Sequence, residues 1–343
     1  MSLARPADAQ TGAIALSDVR MAAERIRGVA DGTPLVPSAL SDKLGCALWL
    51  KLETCQPTGA FKLRGAMNAL RQLGDVPGVI CCSTGNHGRA VAYAARMIGL
   101  RAVVCLGRLV PQVKIDGIRA LGAEVVIHGE SQDAAQQECL RLAKAQGLVE
   151  VSPFDDAAVI AGQGTIALEM LAAQPSLDTL LVPLSGGGLA AGIATAAKAI
   201  KPGIRIIGLT MERGAAMQAA MRAGRPVEVQ EVESLADSLG GGIGMSNHFS
   251  FPICRALLDD VVLLSEEEIY RAMQALYFED RMVAEGASVV GVAALLSGKV
   301  AARGHVGTVI TGRNVDMAQF TRVVTGQDIC LGDMRIAGVP YGA

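Results

Sequence analysis

The sequence predicts an α/β protein built on two open parallel sheets with a cleft between them. Three observations carry this. Hydrophobic residues make up 51% of the 343 but aromatics only 3%, so the core must be Ala, Val, Leu, Ile and Met, and 40 glycines supply many tight turns. From about residue 79 short apolar runs alternate with helix-patterned segments, and the alternation resumes after residue 157. Between the two series "SPFDDAAVIAGQG" mixes proline, paired acids and glycine, which marks a junction near 153–157. The expected domains are a small one over 79–156 and a large one formed by 1–78 with 157–343.

"ALWLKLE" reads as a strand. Pro57 and Gly59 make the turn after it, Thr58 is the expected N-cap, and Leu63, Ala66, Met67 and Leu70 form the core stripe of the helix that follows. "GVICCS", "RAVVCL", "AEVVIH" and "GLVEVS" read as parallel strands, nearly continuous in apolar residues because both faces are covered. After the first of them Val91, Ala94, Ala95 and Ile98 predict one buried helix stripe, stopped at Gly99. The second series gives strands "TLLVPLS", "IRIIGLT", "DVVLLS" and "GTVIT", with Ser265 and Glu268 as a capping box before Ile269, Met273 and Leu276. Ligands of such sheets sit at the C-terminal ends of the strands.

A formal charge of −2 and the absence of any basic block exclude nucleic acid and anionic lipid as natural partners, leaving a small molecule. No run approaches the roughly 20 apolar residues of a membrane span, and no signal-peptide pattern is present, so a cytoplasmic protein is expected. The eight cysteines show no C-x-x-C and read as reduced core thiols, although Cys81 and Cys82 precede a glycine loop where a reactive thiol is conceivable.

Three loops stand at strand ends. In "TGAFKLRGA" Lys62 lies one step round from the core stripe, above Gly65, Ala66 and Ala69, a small flat surface on which a planar body could lie; for a lysine in isolation the commoner reading is a helix-edge charge in water. "STGNHG", residues 83–88, offers hydroxyls, a carboxamide, an imidazole and backbone N–H groups at a helix start, a set that suits a carboxylate or equally a local cap. "SGGGLAAG", residues 185–192, lets the backbone approach a single phosphate; it lacks the Lys-Ser/Thr of a P-loop. Together the loops ask for a flat, phosphorylated ligand in need of an amine, and pyridoxal phosphate fits.

"LETCQPTGAFKLRGA", "STGNHG", "SGGGLAAG" and "TGRNVD" resemble, in order and spacing over about residues 17–318, the fold type II (tryptophan synthase β-like) pyridoxal-phosphate enzymes of the threonine/serine dehydratase family. Within it, "SLADSLGGGIG" and "MERGAAM" resemble the dehydratases of hydroxyectoine utilisation. The resemblance implies a homodimer with the cofactor in the cleft. It implies that Lys62 carries pyridoxal 5'-phosphate as a Schiff base, that Phe61 packs on the ring, and that Asn86 meets the ring 3-oxygen. Ser185, Gly186, Gly187, Gly188 and Leu189 would cradle the phosphate. Ser83, Thr84, Gly85, Asn86 and His87 would receive the substrate carboxylate, with Ser238 trimming the pocket where many relatives have glycine. Thr311 would face the pyridine nitrogen.

A neutral hydroxyl there cannot keep the ring protonated, so long-lived carbanions are disfavoured and prompt loss of a β-substituent suits the site. The activity implied is removal of the β-hydroxyl of a β-hydroxy-α-amino acid, with the Lys62 amine as base; the alternative is a serine-type racemase using Thr84 as second base. No metal is expected, because Thr210 stands where cation-binding relatives have glutamate; an alignment slipped to Glu212 would restore that ligand. Met211, Arg213, Ser238 and the "GGGIG" turn are candidates for the far end of the substrate, and Arg313 is either a side-chain anchor or a surface charge. About 25 residues after the last strand are too few for a regulatory domain, so no isoleucine feedback is expected.

Overall fold

The computed structural model describes residues 14–83, 85–108, 110, 112–130, 132–301 and 303–342. Two sheets organise it. The larger has six strands in the order β1-β2-β10-β7-β8-β9, and the smaller has four in the order β5-β4-β3-β6. The strands of the larger sheet are β1 (Leu35–Pro37), β2 (Ala47–Leu52), β7 (Thr179–Pro183), β8 (Arg205–Met211), β9 (Asp260–Leu264) and β10 (His305–Ile310). Those of the smaller are β3 (Val79–Cys82), β4 (Ala102–Leu106), β5 (Glu124–Ile127) and β6 (Val149–Glu150). The four strands of the smaller sheet are parallel throughout. In the larger sheet only the short edge strand β1 runs antiparallel, an addition to the all-parallel expectation. A hairpin of β11 (Ile329–Leu331) and β12 (Met334–Ile336) follows.

The inner strands of each sheet are covered on both faces, which is why β3, β4 and β7 are nearly continuous in apolar residues. In β3 and β4 Val79, Cys81 and Val104 face one cluster while Ile80, Cys82, Val103 and Cys105 face the other. In β7 and β10 Leu181, Val306 and Ile310 face one side and Leu180, Val182 and Val309 the other. The capping box forms as expected: Ser265 N donates to Glu268 Oε2 at 2.8 Å, and Glu268 N donates to Ser265 Oγ at 3.3 Å. Ile98 departs from its predicted stripe. The helix Asn86–Met97 ends before it, and Ile98 is exposed while Val91, Ala94 and Ala95 are buried. No helix among the described residues is long and apolar enough to cross a membrane.

Candidate active site

The C-terminal ends of β3, β6, β7 and β10 open onto one cavity of about 1110 Å³, the crevice expected of such sheets. Phe61, Lys62, Ser83, Gly85, Asn86 and His87 line it on one side. Ser185 through Leu189, Ser238 and Thr311 also line it, so the structure brings together every described residue assigned to the cofactor or to the substrate carboxylate, and Ser238 with them. Thr84 lies outside the described residues.

Lys62 is the first residue of the helix Lys62–Leu70. Thr58 does not cap that helix; its hydroxyl turns to Ala60 O at 3.4 Å, and the N-cap is Phe61, without a side-chain bond. The start of the helix is fixed by the backbone instead. Ala60 pairs with Gly312, Phe61 N donates to Thr311 O at 2.9 Å, and Arg313 N donates to Gly59 O at 3.0 Å, so Lys62 and Thr311 are held in mutual register. The Lys62 Nζ donates to Pro153 O at 2.6 Å. Burial lowers its pKa to about 8, which leaves part of the population neutral near neutral pH. Gly65, Ala66 and Ala69 do not form a floor for a ring, contrary to the sequence reading. They are buried, and a Cβ on Gly65 would stand 2.8 Å from Val159 Cγ1, so the small face serves to pack the helix Ala157–Ala173 closely.

Asn86 begins the helix after β3, and both ends of its carboxamide are engaged. Its Nδ2 lies 3.0 Å from each oxygen of Glu285, and its Oδ1 accepts from Asn314 Nδ2 at 2.6 Å. Two N–H bonds on Nδ2 allow one to serve Glu285 and the other to face the cavity. Glu285 also accepts from Asn314 N at 2.8 Å and from Ser238 Oγ at 3.1 Å. Burial raises its pKa, and these donors work against that. Sequence reasoning missed Glu285; the one available signal was a lone acid in the apolar run 283–296.

His87 is buried, and its Nε2 lies 2.8 Å from Val151 O. A carbonyl only accepts, so Nε2 carries the proton and Nδ1 is an acceptor, without a partner among the described residues. Burial, and then the Lys62 charge, push its pKa down to about 3, so the ring is neutral and His87 faces the cavity as an uncharged group. Ser83 Oγ accepts from Gly85 N at 3.3 Å, the local turn that shapes the loop.

Across the cavity, Gly187 sits at φ 91 and ψ −13, a left-handed conformation natural to glycine, and caps the helix Gly188–Ile200. The loop therefore presents backbone N–H groups at a helix N-terminus, an arrangement that binds a phosphate. Thr311 Oγ1 lies 2.9 Å from Ser288 Oγ, and Ser288 Oγ accepts from Gly312 N at 2.8 Å, so this hydroxyl is oriented by a second, fully buried one.

The remaining candidates separate cleanly. Ser238 and Gly240–Gly244 line the cavity; Met211 is in the core, and Arg213 reaches Met334 and Asp333. Arg313 is exposed and does not line the cavity. Thr210 is buried with its hydroxyl against Met211 Sδ, and Glu212 pairs with Lys299 at 3.0 Å. Cys81 is buried and its thiol pKa is pushed up, by burial foremost, which removes it as a reactive thiol.

A family model described as pyridoxal-phosphate dependent enzyme matches residues 26–312. The chain is 53% identical over 318 residues to a Sinorhizobium fredii protein named "Putative threonine dehydratase", covering 91% of this chain and 96% of that one. It is 37% identical over 316 residues to the L-threonine ammonia-lyase of Thermotoga maritima, covering 91% and 78%. Among solved structures, maize serine racemase superposes with a TM-score of 0.86 at 32% identity, covering 91% of this chain and 97% of that one. With that match spanning both sheets and all three loops, the chain belongs to the pyridoxal-phosphate dependent enzymes.

Proposed function

We propose that the protein is a dehydratase (ammonia-lyase) that removes the β-hydroxyl of a β-hydroxy-α-amino acid to give a 2-oxo acid and ammonia. The substrate class is threonine- and serine-like, with a hydroxyectoine-derived amino acid as the narrower candidate. The observation that carries the proposal is the Lys62 amine: it opens onto the cavity, opposite a glycine loop, with a pKa lowered to about 8. The relatives named threonine dehydratase and threonine ammonia-lyase support the reaction. The residues also fit the cofactor. An amine, a backbone nest that admits no Cβ and a hydroxyl at Thr311 are the donor set a phosphorylated pyridine aldehyde requires.

Pyridoxal phosphate, when bound, supplies an electron sink that acidifies the Cα–H of an attached amino acid. In this reading Lys62, neutral in part, takes the Cα proton as general base. Asn86, its orientation set by Asn314 and Glu285, directs one N–H to the ring 3-oxygen. Phe61 packs on the ring, and Ser185 through Leu189 hold the phosphate. Ser83, Thr84, Gly85, Asn86 and His87 hold the substrate carboxylate through the N–H groups of a helix start. Ser238, bonded to Glu285, narrows the side-chain end. Thr311 meets the pyridine nitrogen without adding charge, which favours prompt departure of the β-hydroxyl. Residues 79–156 act as the small domain carrying the carboxylate loop, against a large domain of 1–78 and 157–343.

A second reading, racemisation of a serine-type amino acid, draws on the likeness to maize serine racemase. One experiment separates them. Holoenzyme is supplied with L-threonine, L-serine, 3-hydroxyaspartate and a hydroxyectoine-derived diamino acid, and ammonia, 2-oxo acid and the D-isomer are quantified. Equal release of ammonia and 2-oxo acid from at least one substrate is the expected result. D-isomer without ammonia would hand the site to racemisation, and borohydride labelling of any residue but Lys62 would sink both readings.

A further inference from the structure

A loop that binds through its backbone depends on whatever aims its peptide units. In a trans peptide the N–H points opposite to the C=O of the same unit, so a carbonyl bonded on one side commits the following N–H to the other. Gly186, Gly187 and Gly188 line the cavity, whereas Ser250 and Cys254, on the helix Ser250–Leu257, do not. The loop lies between that helix and the cavity. Ser250 Oγ, fully buried, donates to Gly186 O at 2.6 Å. Gly187 O accepts from Ala191 N at 2.8 Å and from Cys254 Sγ at 3.5 Å. Both carbonyls are thus bonded away from the cavity, and the N–H groups of Gly187 and Gly188 are left to point into it.

The direction of the Ser250 hydroxyl is itself determined. Asn247 Oδ1 accepts from Phe251 N at 2.7 Å, which turns its Nδ2 toward Ser250 Oγ at 2.9 Å and Ile243 O at 2.9 Å. Ser250 Oγ receives a proton there, so its own proton is free for the Gly186 carbonyl, closer than Asn247 Oδ1 at 3.2 Å. Asp155 fixes the backbone beneath: it accepts from His248 N at 2.7 Å, Phe249 N at 2.8 Å and Ser250 N at 2.9 Å. The preceding residue, Phe154, packs directly on the loop, where a Cβ on Gly186 would overlap its ring.

We infer that Ser250, primed by Asn247, is a positioning residue that sets the glycine loop for an oxyanion, and that it governs recognition of the cofactor's phosphate but not of its ring. This rests on the proposed reading of the cavity as a pyridoxal-phosphate site. The test compares binding of pyridoxal 5'-phosphate and of pyridoxal, which lacks the phosphate, to apo wild type, Ser250→Ala and Asn247→Ala, with thermal melting of each apo-protein.

Ser250→Ala is expected to lose affinity for pyridoxal 5'-phosphate on the order of tenfold, the worth of one buried hydrogen bond, while its affinity for pyridoxal stays within twofold of wild type. Asn247→Ala should show a smaller loss with the same selectivity, and it decides the question if Ser250→Ala does not fold. Equal losses for both ligands, or none for either, would overturn the inference. Failure of the wild type to bind pyridoxal 5'-phosphate would instead remove the functional reading beneath it.

Discussion

The helices Lys62–Leu70 and Gly188–Ile200 both begin at the cavity and both are deeply buried, yet they are secured by opposite means. Behind Lys62 stands a network of charge. Arg64, with no exposed surface, donates to Glu53 through Nε and Nη2 at 2.8 Å each, to Glu169 at 2.7 and 2.8 Å and to the Thr165 hydroxyl at 3.0 Å, with the Thr33 hydroxyl also 3.0 Å from Nη2. Lys51 joins it through Glu169 and through Thr33 O at 2.6 Å. The groups bonded to the glycine-loop carbonyls are neutral, a hydroxyl and a thiol, and the Asp155 carboxylate acts one step back, on the backbone of the helix that carries them. A reacting side chain needs its Cα fixed, and ion pairs gathered from several segments do that. A loop that acts through N–H groups needs its peptide planes turned, and two neutral bonds suffice.

The largest expected effect comes from breaking the charged side. Arg64→Met removes the cation from two carboxylates, one of them, Glu53, without any exposed surface. Removing one partner of a buried pair costs about 3–5 kcal/mol, because the survivor stays desolvated. Urea unfolding should show a loss of that size. The electrostatic sign follows: burial opposes ionisation of Glu169, but Arg64 and Lys51 outweigh it and hold its pKa down to about 2. The wild type should therefore keep this contribution above the ordinary carboxylate range and lose it as pH falls toward 2, while the variant loses little there. Unfolding midpoints in which the two proteins fall in parallel with acid would count against the network as the anchor.

The second effect is smaller and falls on the neutral side. Gly187→Ala puts a Cβ on a residue at φ 91 and brings it 2.6 Å from Met217 Cε, a flexible end that can give way. The left-handed conformation is what cannot be relieved, at a cost of about 1–3 kcal/mol. Weakened binding of pyridoxal 5'-phosphate with a lesser drop in the melting temperature of the apo-protein is the expected result. If the variant binds the cofactor as wild type does, the backbone nest is not what holds the phosphate.

How much of this was legible in the sequence depends on how far apart the interacting residues lie. The parallel strands are readable because burial on both faces leaves a largely apolar run, whereas β1, β11 and β12, three residues each, give no such signal. The three loops were readable because glycine, serine and asparagine cluster locally at strand ends. Gly65 and Ala66 stand out in the sequence by their smallness but not by its purpose, since the helix that needs them close lies about a hundred residues away. The roles of Glu285 and Ser250 stay hidden for the same reason: their partners Asn86 and Gly186 stand 199 and 64 positions distant, so the lone acid in an apolar run marks Glu285 as unusual without naming what it binds, and Ser250 reads as a helix-starting serine.

The last test sharpens the comparison by asking what the charged side costs when no cofactor is bound. Burial lowers the Lys62 pKa from 10.5 to about 8. Between those values the unfolded chain holds a proton that the folded protein has released, so stability rises with pH across that window, by up to about 1.4 kcal/mol per pH unit. Below about pH 8 both states are protonated; the slope vanishes and the full burial penalty remains. Lys62→Met removes the titration while keeping much of the side-chain volume. Urea unfolding of the two apo-proteins at pH 7, 9 and 10 should give a difference in stability that favours the variant at pH 7 and shrinks as pH rises, with the titration of every other lysine and tyrosine cancelling between them. A pH-independent difference would mean that the amine is as well solvated in the folded protein as in the unfolded chain. Lys62 would then have no source for a neutral fraction, and the base assigned to this site would have to be sought elsewhere.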